Sequence, residues 1–352
     1  MPGMSIQEGI NQVYGGGGHV VVLGAGASIA STLRNAELSG KQLPSMDNFI
    51  EVVGLQDIVD QVPFELQSAN FEALYSNLHS NDPNSDILRS IENRIQAYFG
   101  EMKLPNCPTI YDYLVLSLRS KDLIATFNWD PFLYQAWCRN LKFTKDLPYM
   151  AFLHGTVALG YSKEDNVAGP KGMYARPDGG YFEPIRLLYP VGQKDYNQDE
   201  FIIKEWDRVK YWLSKESSTV RATVFGYGAP VSDIEAIKLL NDSWGTPDDR
   251  SMEQFEVIDI VSEDLLRTRW DGFIHSHHYD ISDSYFKSSL AANPRRTSES
   301  YFNHYKAMTI DEAFRANNSV PRNFATLQEL WDWHRPLIEA EQKIANEKSQ
   351  KD

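Results

Sequence analysis

The run His19-Val20-Val21-Val22-Leu23 ends abruptly in Gly24-Ala25-Gly26-Ala27-Ser28, and this junction constrains the chain more than any other feature. A short β-branched run bounded by glycine reads as a buried strand, and the small residues after it open a helix. A strand that turns sharply into a helix points the amides of the helix N-terminus at whatever lies beyond the turn, the geometry that holds a phosphate. The same glycines also suit a tight turn with no ligand. Ile29 stands where the dinucleotide fingerprint has its third glycine. No strand ending in Asp or Glu follows about 20 residues later to bind a ribose, so hydride transfer is disfavoured.

Further apolar runs at Leu123 to Phe127, Tyr149 to Leu153, Val220 to Phe225 and Phe255 to Val261 alternate with helical patterns. The expectation is an α/β fold with a Rossmann-like, mostly parallel sheet and helices on both faces. Amphipathic stretches such as Ser85 to Met102 and Thr109 to Arg119 place a helical insertion at about 46–119, and another helix is expected from Gln198 to Ser214. The Gly- and Tyr-rich stretch from Gly160 to Tyr181 reads as a loop over the sheet edge. We divide the chain into a nucleotide-binding unit, 1–280, and a helical C-terminal extension, 281–352, whose charged end from Glu339 should fray.

Composition narrows the function classes. Hydrophobic residues at 42% and charged ones at 23% fit a globular chain. With 34 Lys and Arg against 48 Asp and Glu, a net charge of −14, and no basic run, direct nucleic-acid binding is disfavoured. Two cysteines, Cys107 and Cys138, build neither a disulfide framework nor a four-cysteine zinc site. No signal-like N-terminus and no membrane-length apolar run is present, so a cytoplasmic protein is expected.

Three further segments carry chemistry. In Ala125-Thr126-Phe127-Asn128-Trp129-Asp130 a strand ends in two polar residues on one side, where α/β sites lie. Alternatively, Asp130 caps a helix starting at Pro131. In Phe152-Leu153-His154-Gly155 a histidine follows an apolar strand; such a residue is commonly structural, yet its ordinary pKa suits a general base. The strand Ala222 to Phe225 runs into Gly226-Tyr227-Gly228 and on to Ser232-Asp233, a second strand-to-helix turn whose plain reading is capping.

In this order, these segments resemble the sirtuin family over roughly residues 19–262. The glycine turn matches at Gly24, Ala25, Gly26 and Ser28, the Thr-x-Asn-x-Asp motif at Thr126, Asn128 and Asp130, the His-Gly pair at His154 and Gly155, and the later glycine turn at Gly226 and Tyr227. The resemblance implies that NAD⁺ is the substrate and that its nicotinamide–ribose bond is cleaved without a metal. It places Asn128, Asp130 and His154 in catalysis, and the two glycine turns with Ser28 and Thr126 against the cofactor. Deacylating sirtuins carry a four-cysteine zinc module that this chain cannot build. Leu43 to Phe49 replaces the family's loop after the first helix, with Ser45 read as an N-cap. The combination is similar to sirtuin-like NAD⁺ hydrolase domains of bacterial antiphage systems, which implies homo-oligomers and a partner such as a HerA-type ATPase or an Argonaute-type protein. NAD-dependent deacylation, ADP-ribosyl transfer and NAD⁺ or ADP-ribose sensing are the alternatives.

Two clusters stay outside that resemblance. His275, His277, His278 and Asp280 have a composition that metals favour but no zinc-hydrolase spacing, so a loop beside the pocket or an oligomer contact is expected. Trp331, Trp333 and Leu337 are read as core residues, with an intersubunit surface as the alternative.

Overall fold

The computed structural model describes residues 6–11, 13, 17–33, 41–170, 180–190, 199–228, 233–246, 248–250, 254–274, 279–301 and 318–350. Six strands form the main sheet: β1 (Gly18–Leu23), β2 (Leu123–Thr126), β3 (Tyr149–Phe152), β7 (Thr219–Phe225), β8 (Gln254–Ile258) and β9 (Tyr279–Ser282). They are ordered β3-β2-β1-β7-β8-β9, and every pairing is parallel. Counted within this sheet alone, that order is 3-2-1-4-5-6, the doubly wound arrangement, in which the chain reverses direction of travel between the two central strands. Here those strands are β1 and β7.

Alternation along β1 assigns its side chains to two cores. Val21 and Leu23 face one core with the helices α3 (Phe49–Val53), α4 (Gln56–Val59), α5 (Phe71–Asn81), α6 (Asp86–Gly100) and α7 (Ile110–Ser117); Val20 and Val22 face the other, with α9 (Glu200–Leu213) and α10 (Ile234–Trp244). A strand buried on both faces must be apolar at consecutive positions, as β1 is. The helical insertion thus forms one layer of the sandwich. Its helices are set by local signals: Ser85 caps α6 by accepting from the Leu88 amide at 3.3 Å, and Thr109 and Asp112 form a capping box on α7.

The structure corrects several expectations. The described part of the stretch expected as a loop holds strands: β4 (Leu159–Ser162) and β5 (Val167–Pro170), with β6 (Glu183–Pro184) just beyond it, make a small antiparallel sheet. Its hairpin turns through Asn166 at φ +60°, and its glycines, packed beneath Phe182, hide the strand pattern. The strand β9 lies where a loop followed by helix was expected; it is an edge strand of mixed polarity, and such strands lack an apolar signature. His275, His277 and His278 lie outside the described residues, and Asp280 sits on β9. Among the described residues no group of three or more His, Cys, Asp or Glu is placed to hold a metal, and no helix is long and apolar enough to cross a membrane.

The C-terminal helix, Leu327–Ser349, continues through the charged segment expected to fray. Leu337 is buried, and Trp331 and Trp333 pack against the core, Trp331 also donating to Asn140 Oδ1 at 2.7 Å. Glu341 of this helix is buried against Arg295, whose Nε lies 2.8 Å from Glu341 Oε2. Arg296 bonds the same carboxylate.

Candidate active site

Four adjacent strands, β3, β2, β1 and β7, deliver their carboxyl ends to one cavity of about 510 Å³. Gly24 follows β1, Asn128 and Asp130 follow β2, His154 follows β3 and Gly226 follows β7; all five line the cavity, with Ala25, Ser28 and Tyr227. It opens at the switch point between β1 and β7, where doubly wound sheets bind ligands. Segments more than 200 residues apart in sequence therefore meet, as the motif order implied.

The two glycine turns hold each other. The Gly24 amide donates to Phe225 O at 3.0 Å and the Gly26 amide to Gly226 O at 2.9 Å. A Cβ on Gly24 would stand 2.5 Å from Tyr227 Cα, and one on Gly226, at φ +61°, 2.3 Å from the Ala27 nitrogen. Glycine is thus required at these positions by turn-on-turn packing, before any ligand is considered. The Gly26 amide, offered by the sequence as a phosphate donor, is engaged by Gly226.

Asn128, Asp130 and Ser28 form one buried network. Asn128 Nδ2 donates to Gly24 O at 2.8 Å and Ser28 Oγ at 2.9 Å, and lies 3.2 Å from the hydroxyl of Tyr111. Ser28 Oγ donates to Asp130 Oδ2 at 2.6 Å and is 2.6 Å from Tyr111 Oη. The hydroxyl expected to hold a phosphate is therefore turned inward and shared among three protein groups. Burial raises the Asp130 carboxyl to about 6, against the opposing pull of its Ser28 and Phe132 hydrogen bonds. Asp130 Oδ1 accepts from the Phe132 amide at 3.1 Å, but α8 (Phe132–Asn140) begins one residue later than expected, with Pro131 and not Asp130 at its N-cap.

Thr126 does not line the cavity. It is buried, and its Oγ1 accepts from the Asn128 amide at 3.0 Å, bracing the backbone that carries Asn128. His154 is 6% exposed and meets the Phe127 ring edge-on at a centroid distance of 4.8 Å. Gly155 lets the chain turn directly after it: φ is +77° and a Cβ would stand 2.3 Å from Arg186 O. Phe127 stacks on Tyr227 at 4.3 Å, and Tyr227 donates to Asp233 Oδ2 at 3.0 Å. Ser232 lies outside the described residues.

Some lining residues escaped sequence reasoning. Leu43, Pro44, Met46 and Phe49, in the segment given no role, form an apolar wall with Phe99 and Trp129. Ser45 is not a helix cap; its amide and hydroxyl donate to Asn48 Oδ1 at 2.7 and 3.1 Å. Arg269, at the end of α11 (Glu263–Arg269), lines the opposite side near Gly228. Tyr111 carried no signal beyond the helical pattern of its segment, because a tyrosine in an amphipathic helix normally reads as core.

The fold and the cavity define an α/β protein of the doubly wound type with a ligand crevice at its switch point. No family model and no curated protein matches the chain. Among solved structures it is similar to a Sir2 homologue in complex with NAD, at 14% identity over 88% of this chain and 98% of that one, with a TM-score of 0.37. It is also similar to a Sir2 homologue mutant in complex with ADP-ribose, at 13% identity over 88% of this chain and 99% of that one, TM-score 0.38. A third is a Sir2 variant with a deacetylated peptide and acetyl ADP-ribose, at 10% identity over 86% and 98% of the two chains, TM-score 0.34.

Proposed function

We propose that this chain is a sirtuin-like NAD⁺ hydrolase that cleaves the nicotinamide–ribose bond, giving nicotinamide and ADP-ribose. The observation that carries the reading is the meeting of Asn128, Asp130 and His154 with two interlocked glycine turns in one crevice.

In this reading the bond from the ribose carbon to nicotinamide breaks with its electron pair leaving on nicotinamide, a water oxygen forms the new bond to that carbon, and one water proton is given up to a base. The ribosyl carbon gains oxocarbenium character, and groups fixed in advance around it stabilise that charge. Asn128 stands against the ribose and the attacking water, and Asp130 near the carboxamide. His154 takes the proton of the water or of a ribose hydroxyl. The turns at Gly24 to Ser28 and at Gly226 and Tyr227 hold the rest of the dinucleotide, with Thr126 acting behind Asn128. Two cysteines, too few for the family's four-cysteine zinc module, support water in place of an acyl-lysine. The cellular role that goes with this reading is NAD⁺ depletion in antiphage defence, by a cytoplasmic homo-oligomer working with a HerA-type ATPase or another defence partner.

The test compares wild type with His154→Ala and Asn128→Ala in NAD⁺ turnover, with and without an acyl-lysine peptide. Each variant should lose at least about ten-fold in turnover, equivalent to ~1.4 kcal/mol of transition-state stabilisation, while keeping a cooperative unfolding transition, with the midpoint lowered in Asn128→Ala by the loss of its buried hydrogen bonds. Turnover that depends on the peptide would identify a deacylase, and full activity in both variants would remove the assigned roles.

A further inference from the structure

The orientation of Asn128 is fixed by chemistry around its amide. Gly24 O is only an acceptor, so the side-chain atom 2.8 Å from it must be the nitrogen. The two Nδ2 protons are directed to Gly24 O and Ser28 Oγ, and the second is shared with Tyr111 Oη at 3.2 Å. The other end of the planar amide, Oδ1, is turned away from these groups, and Asn128 lines the cavity.

What holds Ser28 in place to receive that proton is Tyr111. The single proton of Ser28 goes to Asp130 Oδ2 at 2.6 Å, so in the 2.6 Å contact between Ser28 Oγ and Tyr111 Oη the phenol is the donor. Burial raises the Tyr111 pKa, which keeps that donor protonated. Every hydrogen-bonding position of Ser28 Oγ is then occupied: one donated bond, and accepted bonds from Tyr111 and Asn128. Tyr111 is itself immobile. It is fully buried at the start of α7, a helix locked to α8 through Asp112, whose Oδ1 accepts from Arg139 Nε at 2.5 Å and Asn140 Nδ2 at 2.9 Å. The chain of hydrogen bonds thus runs from a rigid helix through Tyr111 and Ser28 to the amide of Asn128.

We propose that Tyr111 is a positioning residue of this site, using its hydroxyl to set Ser28 and the Asn128 amide so that Asn128 presents only its carbonyl oxygen to the ribose. An acceptor at that position takes a proton of a ribose hydroxyl or of the attacking water, leaving the water's lone pair free, and favours a developing positive charge, which an amide donor would oppose. The kinetic consequence rests on the hydrolase reading, whereas the orientation of Asn128 does not.

Two measurements on the full chain separate them. In protein labelled with ¹⁵N-asparagine, the Asn128 side-chain amide, assigned by its loss in Asn128→Ala, should exchange slowly with water in wild type. It should exchange about five-fold faster in Tyr111→Phe, the change expected on losing a hydrogen bond of about 1 kcal/mol. Unchanged exchange overturns the proposal whether or not NAD⁺ is cleaved. In turnover, Tyr111→Phe should lower kcat roughly ten-fold and leave KM for NAD⁺ within about two-fold. In an Asn128→Ala background the same substitution should change kcat by less than about two-fold, since the group it positions is gone. A raised KM with unchanged kcat, or equal losses in both backgrounds, would assign Tyr111 a merely structural role. Wild type that releases no nicotinamide would remove the hydrolase reading, and amide exchange would still decide the positioning.

Discussion

Asp130 is a carboxylate 5% exposed to solvent, and the consequence is measurable. Burial raises it to about 6 from an ordinary 3.8. Above pH 6 the folded protein carries a buried charge whose cost is present in full. As pH falls from about 6 towards 3.8 the folded state takes up a proton before the unfolded state does, so that cost is progressively relieved. Asp130→Asn removes the titration and keeps one acceptor, for Ser28, while losing the oxygen that accepts from the Phe132 amide. That loss is the same at every pH, so relative to wild type the variant should gain up to about 3 kcal/mol of stability between pH 4 and pH 7.5, two pKa units' worth. Urea midpoints at the two pH values read this directly, and a difference independent of pH would refute it. Gly226 makes a separate prediction. A Cβ there meets the Ala27 nitrogen at 2.3 Å, on a backbone at φ +61°. Gly226→Ala should lower stability by at least ~1–2 kcal/mol from backbone conformation alone, seen as a lower urea midpoint.

At the scale of elements, the C-terminal helix is tied down by charge. Arg295 is fully buried at φ +64°, and its guanidinium spans Glu341 and Asp146, with Nη2 to Asp146 Oδ2 at 3.0 Å. Burial alone would raise Glu341, but the Arg295, Arg296 and Arg119 guanidiniums outweigh it and hold the carboxyl below its ordinary value. Its stabilising contribution is therefore present above the ordinary carboxylate range and lost as pH falls below it. Glu341→Ala removes the buried carboxylate that Arg296 bonds and that Arg295 holds together with Asp146, and should cost about 3–5 kcal/mol, with the helix exchanging amide protons earlier than the sheet. Uniform exchange across both would contradict this.

The parallel strands and the insertion helices were legible because apolar runs and 3.6-residue periodicity are direct imprints of burial. The small antiparallel sheet and β9 were not, since four-residue strands containing glycine, or lying at an edge, carry little periodic signal. The site was legible to the same degree. Polar residues placed just after apolar strands, at Asn128, Asp130 and His154, announce themselves. Tyr111 and the wall of Leu43 and Met46 reach the cavity only through tertiary packing. Glycines 24, 26 and 226 were visible, but their shared purpose, one turn seated on another, needs both turns in view.

For the whole molecule, a doubly wound sheet places a crevice and a set of hydrogen-bonded polar groups at its switch point, and the proposal is that this crevice cleaves NAD⁺. The most direct test follows nicotinamide and ADP-ribose released from NAD⁺ by the purified wild-type chain, in the absence of any acceptor and across protein concentrations. The account predicts the two products in equal amounts, rising together with time. A folded chain that binds NAD⁺ saturably and releases neither at any concentration would contradict it.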